Sequence, residues 1–140
     1  MLKVFVYGTL KPGESNYPRY CEKKVIQHER VYTKGQLFHL QALGYPGLTR
    51  GDSRVEGVLL CFADESVLEN LDSLEDYRSD RSPDLNEYQR EKIEVYSLAG
   101  EPLGQVWGYI MSSDKIKGYG GVPVVSGWWT GKLAQLSLDK

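Results

Sequence analysis

Short strand-like segments recur along the chain, and they limit its fold more than any other feature of the sequence. Residues 2–7 alternate with a period of two, as expected for a strand, and this strand is predicted to end at Gly8. Residues 29–40 carry β-branched and aromatic side chains around Gly35, which indicates a bulge or a bend. Residues 55–62 form an apolar run that is short enough for a buried strand.

A hairpin and a single helix complete the predicted architecture. Residues 88–98 and 103–111 flank the turn sequence Ala-Gly-Glu-Pro and are predicted to pair, which brings the total to about five strands. Strands around one main helix predict an α+β fold, as a curled sheet or a small β-barrel. Because the sequence shows no repeat, linker or break in composition, we expect residues 1–140 to form a single domain.

The predicted helix follows Asp64, which is expected to be its N-cap. Glu65 would then lie in the first turn, where the helix dipole favours a negative charge. Four apolar residues recur at helical spacing and form one stripe: Val67, Leu68, Leu71 and Leu74.

Glu75 is the unusual residue of this segment because it falls within the apolar stripe, four residues after Leu71. The acids Glu69, Asp72 and Asp76 lie beside or opposite the stripe, where solvated carboxylates belong. An inward carboxylate must be paired, hydrogen-bonded or lining a cavity, and desolvation there would raise its pKa and make it a proton acceptor near neutral pH. The alternative is that the helix ends before Glu75 and the carboxylate turns to solvent, and the periodicity leaves both open.

Charge and hydropathy argue against several classes of protein. The net charge of −2 over 140 residues disfavours a general nucleic-acid binder. No apolar run is long enough for a membrane span, and the N-terminus lacks the plan of a signal peptide, so we expect a cytoplasmic protein. In that compartment Cys21 and Cys61 are expected to be free thiols. His28 and His39 are isolated and lack the paired spacing of a metal site.

Residues 4–17, VFVYGTLKPGESNY, break the first strand with a glycine-containing loop. Successive N–H groups without partners in such a loop can converge on an anion. The loop lacks the Gly-Lys-Ser/Thr ending of a phosphate-binding P-loop and the glycine spacing of a dinucleotide site. It is therefore either an ordinary turn or a small cradle for a carboxylate or a carbonyl oxygen.

Several short motifs, in this order along the chain, resemble the gamma-glutamylcyclotransferase-like superfamily. Residues 7–13, Tyr-Gly-Thr-Leu-Lys-Pro-Gly, look like its signature loop, and residues 45–47, Tyr-Pro-Gly, lie where members commonly carry a Tyr-Pro turn. Residues 71–75, Leu-Asp-Ser-Leu-Glu, look like its helical stretch ending in the catalytic glutamate, and residues 88–90, Tyr-Gln-Arg, look like the start of the following strand. The chain departs from the pattern at Asp76, where many members have glycine.

The resemblance implies a small mixed α/β barrel with a substrate pocket at one end. Enzymes of the family bind a gamma-glutamyl group and release it as 5-oxoproline, which frees the attached amine, and they use no metal or organic cofactor. By resemblance, Glu75 would be the catalytic acid/base. The backbone of four residues would hold the glutamyl group of a small-molecule substrate: Tyr7, Gly8, Thr9 and Leu10.

Some questions stay open at this level. Proteins with this fold also include ones without demonstrated activity, so the alternative is a non-catalytic module that binds a small carboxylate or amide ligand in the same pocket. Residues 78–87 are polar and form either a lid or a connector. Trp128 and Trp129 are expected in core or edge packing, and the glycine-rich residues 118–125 are placed at the pocket mouth.

Overall fold

A computed structural model describes residues 1–133. Its barrel strands are β1 (Leu2–Val6), β2 (Val25–Leu40), β3 (Tyr45–Phe62), β4 (Gln89–Ser97) and β5 (Pro102–Ile110). The helices are α1 (Tyr17–Tyr20), α2 (Val67–Leu74) and α3 (Ser113–Gly118), with a single 3₁₀ turn at Pro83–Leu85 and a short strand β6 (Gly121–Pro123).

The five long strands close into a mixed barrel. They pair in the order β3-β1-β5-β4-β2, and β2 pairs again with β3, which removes both open edges. Only β1 and β5 run parallel, whereas the other barrel pairs are antiparallel. The predicted α+β class and mixed barrel are therefore confirmed, and β6 adds a strand beside β2 that the sequence did not indicate.

Each predicted strand overlaps an observed one: the bounds of β1, β4 and β5 differ from the prediction by one residue, whereas β2 and β3 are longer than predicted. Gly35 is confirmed as an irregularity, because the register between β2 and β3 shifts between Gly35 and Gln36. A Cβ at this glycine would lie 2.8 Å from Thr49 O, so a larger residue would push the two strands apart. Residues 55–62 form the second half of β3, and the predicted hairpin is β4 paired with β5.

The predicted N-cap of the main helix is wrong by two residues. Helix α2 follows Ser66, and Asp64 Oδ1 instead accepts a hydrogen bond from the Ser66 N–H at 2.9 Å. Asp64 therefore stabilises the turn that precedes the helix, which is the competing local use of an aspartate side chain. The apolar stripe is confirmed, since Val67 and Leu71 are buried.

The buried apolar residues form two clusters that define the position of the helix. One cluster receives residues from all five barrel strands, including Phe5, Val31 and Val95, and fills the barrel. The other contains residues from the opposite face of β1 and β3, and Leu71 of α2 packs into it. The helix thus lies against the outer face of β1, and its C-terminal end comes close to the end of that strand.

Within residues 1–133, no helix is long and apolar enough to cross a membrane. Cys21 and Cys61 are both buried and free, as expected.

Candidate active site

A cavity lies where β1 ends and α2 ends. It encloses about 370 Å³, including its opening to solvent. Its lining contains every residue that the sequence selected for the site, together with residues that it did not: Phe5, Val6, Tyr7, Gly8, Thr9, Leu10, Tyr45, Pro46, Glu75, Tyr88 and Tyr109. The fold therefore brings the first loop and the inward glutamate around one space.

The cavity has a defined mouth. Thr9, Tyr45 and Glu75 keep partial exposure to solvent, whereas the other lining residues are buried.

Residues 7–10, called the binding loop below, line this space. The turn is closed by hydrogen bonds from Lys11 N–H to Gly8 O (3.1 Å) and from Asn16 N–H to Thr9 O (2.9 Å). The N–H groups of Gly8, Thr9 and Leu10 themselves have no hydrogen-bond acceptor in the described part of the chain. Unsatisfied N–H groups beside a buried cavity are suited to bind a carboxylate or a carbonyl oxygen.

Lys11 holds the binding loop against the C-terminal segment. Its side chain is buried, its Nζ donates a hydrogen bond to Trp129 O, and it lies 3.6 Å from the ring centroid of Trp128. Burial lowers the pKa of Lys11 to about 8. Trp129 is buried and Trp128 partly exposed, so the two tryptophans pack around the loop rather than line the cavity.

Glu75 is the residue that caps the C-terminal end of α2. Its N–H still donates to Leu71 O at 3.0 Å, so the helix ends at Leu74 but the chain has not yet turned away. Of the two orientations left open by the sequence, the structure shows the one in which Glu75 lines the cavity. Burial, with smaller contributions from Glu87 and Asp72, raises the pKa of Glu75 to about 8. Among residues 1–133, none donates a hydrogen bond to this carboxylate.

The raised pKa of Glu75 makes the stability of the protein depend on pH. The folded-state value of about 8 exceeds the ordinary value of 4.5, so the folded protein binds the proton more tightly than the unfolded chain. This stabilising contribution is complete below the unfolded pKa and is lost as the pH rises through the folded pKa. We therefore expect Glu75→Gln to gain stability relative to wild type, on the order of 1–3 kcal/mol, between about pH 5 and about pH 9. Urea unfolding at both pH values measures this difference, and an unchanged difference would contradict the desolvation of Glu75.

Three tyrosine hydroxyls fix the walls of the cavity. Tyr7 donates to Tyr109 O, and Tyr88 donates to Pro46 O, each at 2.6 Å. Tyr45 donates to Glu87 Oε1 at 2.6 Å. Because each hydroxyl proton already has a protein acceptor, the walls are held rigid and offer lone pairs rather than donors to a ligand.

The structure corrects the prediction that Asp72 is a solvated carboxylate beside the stripe. This residue is half-buried, its Oδ1 accepts from the Tyr109 hydroxyl and its Oδ2 from Arg90 Nη1, both at 2.8 Å. The face of α2 that was expected to be exposed packs here against the β4–β5 hairpin. Arg90 and Tyr109 are direct register partners in this hairpin. Asp72 therefore joins the helix that carries Glu75 to the strand that supports Tyr7. One sequence signal could have revealed this contact of Asp72: the predicted hairpin places Arg90 opposite Tyr109, and both can donate hydrogen bonds.

We expect Asp72→Asn to destabilise the protein by about 1–3 kcal/mol, because it weakens two hydrogen bonds and leaves the partly buried Arg90 without its anion. Arg90 Nε is already buried without a partner among the described residues, which increases the dependence on Asp72. Asp80→Asn is the matched control, since its ion pair with Arg78 is exposed and should cost less than about 0.5 kcal/mol. Chemical denaturation of both variants measures the contrast, and equal losses would mean that Asp72 has no special anchoring role.

Other candidates from the sequence lie elsewhere. His39 is buried outside the cavity, where its Nδ1 accepts a hydrogen bond from Trp129 Nε1 at 3.0 Å. Residues 118–125 do not border the cavity, contrary to expectation; part of this segment lines a separate groove. Residues 78–87 contribute no lining residue. In the described part of the chain, no group of three or more His, Cys, Asp or Glu side chains could hold a metal ion.

Sequence and structure comparisons agree on the relatives of this chain. The family model described as gamma-glutamyl cyclotransferase, AIG2-like, matches residues 4–131. A protein of Vibrio cholerae assigned to the gamma-glutamylcyclotransferases is 36% identical over 107 residues, which cover 76% of this chain and 79% of that protein. The gamma-L-glutamyl-butirosin B gamma-glutamyl cyclotransferase of Niallia circulans is 31% identical over 114 residues, covering 81% and 69% of the two chains. The crystal structure of an AIG2-like protein from Mus musculus superposes with a TM-score of 0.61 at 27% identity, covering 81% of this chain and 78% of the other.

Proposed function

Because the chain belongs to the gamma-glutamyl cyclotransferase, AIG2-like family, we propose that it converts a gamma-glutamyl amide into 5-oxoproline and a free amine. Glu75 is the general acid/base of this reaction, and the binding loop holds the glutamyl part of the substrate. The relative from Niallia circulans is named for a gamma-glutamyl conjugate, gamma-L-glutamyl-butirosin B, which supports a gamma-glutamyl substrate for this chain.

The first step is a proton transfer within the cavity. The substrate carries its nucleophile as an α-ammonium group, which cannot attack until it loses a proton. A carboxylate with its pKa raised to about 8 is much closer in basicity to an amine than an exposed glutamate, and it has no hydrogen-bond partner among the described residues to displace. Glu75 accepts this proton.

Ring closure and collapse then follow without a covalent enzyme intermediate. The neutral α-nitrogen attacks the γ-carbonyl carbon of the same molecule and forms the new C–N bond of the five-membered ring. The tetrahedral intermediate collapses by breaking the bond to the leaving nitrogen, which takes the proton back from Glu75. The regenerated carboxylate accepts the second proton of the ring nitrogen, and this proton leaves with the amine, which departs as an ammonium group. Since both reacting groups belong to one substrate, the cavity contributes mainly by holding the folded conformer, an effect that is worth several kcal/mol.

The binding loop supplies hydrogen-bond donors for a negatively charged oxygen of the substrate. Three N–H groups without an acceptor in residues 1–133 lie around the same cavity as Glu75, at Gly8, Thr9 and Leu10. They bind the substrate α-carboxylate or the oxyanion that develops on the γ-carbonyl oxygen. The observation that carries the proposal is that a desolvated carboxylate and three backbone donors line one cavity, and that all of them lack hydrogen-bond partners among residues 1–133.

The test is release of 5-oxoproline from a panel of gamma-glutamyl amines, gamma-glutamyl dipeptides and gamma-glutamyl-lysine, measured by chromatography with mass detection. The proposal expects catalytic release from at least one class. Saturable binding of these compounds without any release would instead support a non-catalytic module that uses the same cavity.

A further inference from the structure

Residues 126–131, called the clasp below, contain the two adjacent tryptophans and contact both the barrel and the turn that carries the binding loop. None of these residues lines the cavity. Two of their contacts with the turn are hydrogen bonds between residues that lie 118 and 117 positions apart in the chain. The clasp therefore meets the binding loop from outside the cavity.

The clasp is attached to the barrel independently of the binding loop. Gly127 O accepts a hydrogen bond from the Glu56 N–H of β3 at 2.8 Å. The guanidinium group of Arg30 in β2 lies 4.0 Å from the ring centroid of Trp128 and forms an ion pair with Glu56 at 3.2 Å. Two barrel strands thus fix the position of the clasp.

Lys11 joins the binding loop to this fixed segment. It follows Leu10 directly, is only 1% exposed, and does not line the cavity. Its ammonium group donates a hydrogen bond to Trp129 O and lies 3.6 Å from the ring centroid of Trp128. None of the ion pairs within residues 1–133 includes Lys11. The buried ammonium group is therefore held by a carbonyl and an aromatic ring of the clasp.

Glu14 makes a second link between the turn and the clasp. Its Oε1 accepts a hydrogen bond from the Gly131 N–H at 3.0 Å, and its own N–H donates to Lys11 O at 2.9 Å. The Lys11 N–H in turn donates to Gly8 O at 3.1 Å. The side chains that reach the clasp therefore belong to the same turn as the binding loop, and a displacement of either side chain is passed to the loop.

A buried ammonium group is an unfavourable way to fill this position. Burial disfavours the charged form of a lysine and lowers the pKa of Lys11 to about 8. A methionine has a similar length and would pack against the same aromatic rings without this cost. The ammonium group adds a directed hydrogen bond to one carbonyl, which fixes where the turn lies relative to the clasp. Positioning of the binding loop therefore explains Lys11 better than packing does.

We propose that Lys11 is a positioning residue for the cyclisation reaction and that it acts by anchoring the binding loop to the clasp. The N–H groups of residues 8–10 can bind one substrate oxygen together only if the turn keeps a single conformation. Contacts outside the cavity supply this constraint, because the three N–H groups have no acceptor among residues 1–133. This inference rests on the proposed function and adds the contacts that hold its binding loop in place.

Lys11→Met removes the ammonium group with little change in length. We expect kcat/KM for 5-oxoproline release to fall about tenfold, which corresponds to the loss of one hydrogen bond from a charged donor. Lys11→Arg keeps a charged donor and should recover most of this loss, whereas a role in packing alone would favour methionine over arginine. Lys23→Met, at an exposed lysine, is the matched control and should stay within about twofold of wild type.

Amide hydrogen exchange followed by NMR tests the anchoring without any substrate. The Asn16 N–H closes the binding loop through its hydrogen bond to Thr9 O. Lys11→Met should raise the exchange rate of this N–H by about tenfold or more, whereas the amides of β3 should keep their wild-type rates.

Gly127→Ala disturbs the clasp and leaves Lys11 and the binding loop unchanged in sequence. Gly127 has a φ of +76°, and a Cβ there would lie 2.4 Å from Arg54 O, so an alanine must shift the clasp. We expect the same faster exchange at Asn16 and a similar loss of kcat/KM, although position 127 does not line the cavity.

Wild-type exchange at Asn16 in Lys11→Met, or wild-type kcat/KM in Lys11→Met or Gly127→Ala, would overturn this inference and leave the proposed function intact. Faster exchange throughout β3 would also overturn it, because Lys11 would then stabilise the whole barrel rather than position the loop. If wild type releases 5-oxoproline from no compound of the panel, the proposed function fails, and exchange at Asn16 still decides whether Lys11 anchors the binding loop.

Discussion

Glu75→Gln is expected to lower kcat for 5-oxoproline release by about 10²- to 10⁴-fold, which is the usual effect of removing a general acid/base. The amide has nearly the same shape as the carboxylate and fits the same cavity, but it cannot accept the ammonium proton. Substrate binding should persist, because the backbone donors of the binding loop are unaffected. The measurement is steady-state 5-oxoproline release together with calorimetric binding of the same substrate.

The control for this substitution is Glu69→Gln, on the exposed side of the same helix, for which we expect activity within about twofold of wild type. A folded Glu75→Gln variant that releases 5-oxoproline at a rate close to that of wild type would rule out the assigned role of the carboxylate.

Gly8→Ala is expected to reduce kcat/KM by about 10- to 100-fold without unfolding the protein. A Cβ at this position would lie 2.6 Å from Pro46 Cγ and 2.9 Å from its Cδ, so the binding loop and the Tyr45–Pro46 turn must move apart. Pro46 O accepts the Tyr88 hydroxyl, which would carry the displacement to the opposite wall. A displacement of about 1 Å in a site that works by holding one conformer costs on the order of 10²-fold.

Gly118→Ala is the matched glycine control, because a Cβ there meets nothing within 4 Å and should leave kcat/KM within about twofold. Activity assays combined with thermal unfolding separate the two effects. Equal activity of Gly8→Ala and Gly118→Ala would show that the close approach of Gly8 to Pro46 does not position the substrate.

Much of the framework could be predicted from the sequence because it depends on local patterns. The period-two segments gave the barrel strands, and the apolar stripe gave α2 with Leu71 buried under it. The bulge at Gly35 followed from an isolated glycine in a strand pattern. The prediction failed where one side chain could serve two local structures. The Asp64 side chain accepts a hydrogen bond in the turn before the helix and does not cap the helix itself.

The residues that line the cavity and the hydrogen bonds among them were harder to predict from the sequence than the strands and the helix. Tyr45, Tyr88 and Tyr109 come from three strands or their ends, and only the closed barrel brings them together. Asp72 looked solvated because helical periodicity describes one helix and not the hairpin that packs on its other side. The hydrogen bond from Tyr45 to Glu87 likewise joins residues that are 42 positions apart in the chain.

The central claim is that Glu75 accepts the α-ammonium proton of a gamma-glutamyl substrate while the binding loop holds an oxygen of the same molecule. A crystal structure of the Glu75→Gln variant with an intact gamma-glutamyl amine tests it most directly. We predict that the substrate α-nitrogen lies about 3 Å from the side chain at position 75 and that a substrate oxygen accepts the N–H groups of residues 8–10. A substrate bound with its α-nitrogen away from position 75, or bound outside this cavity, would contradict the account.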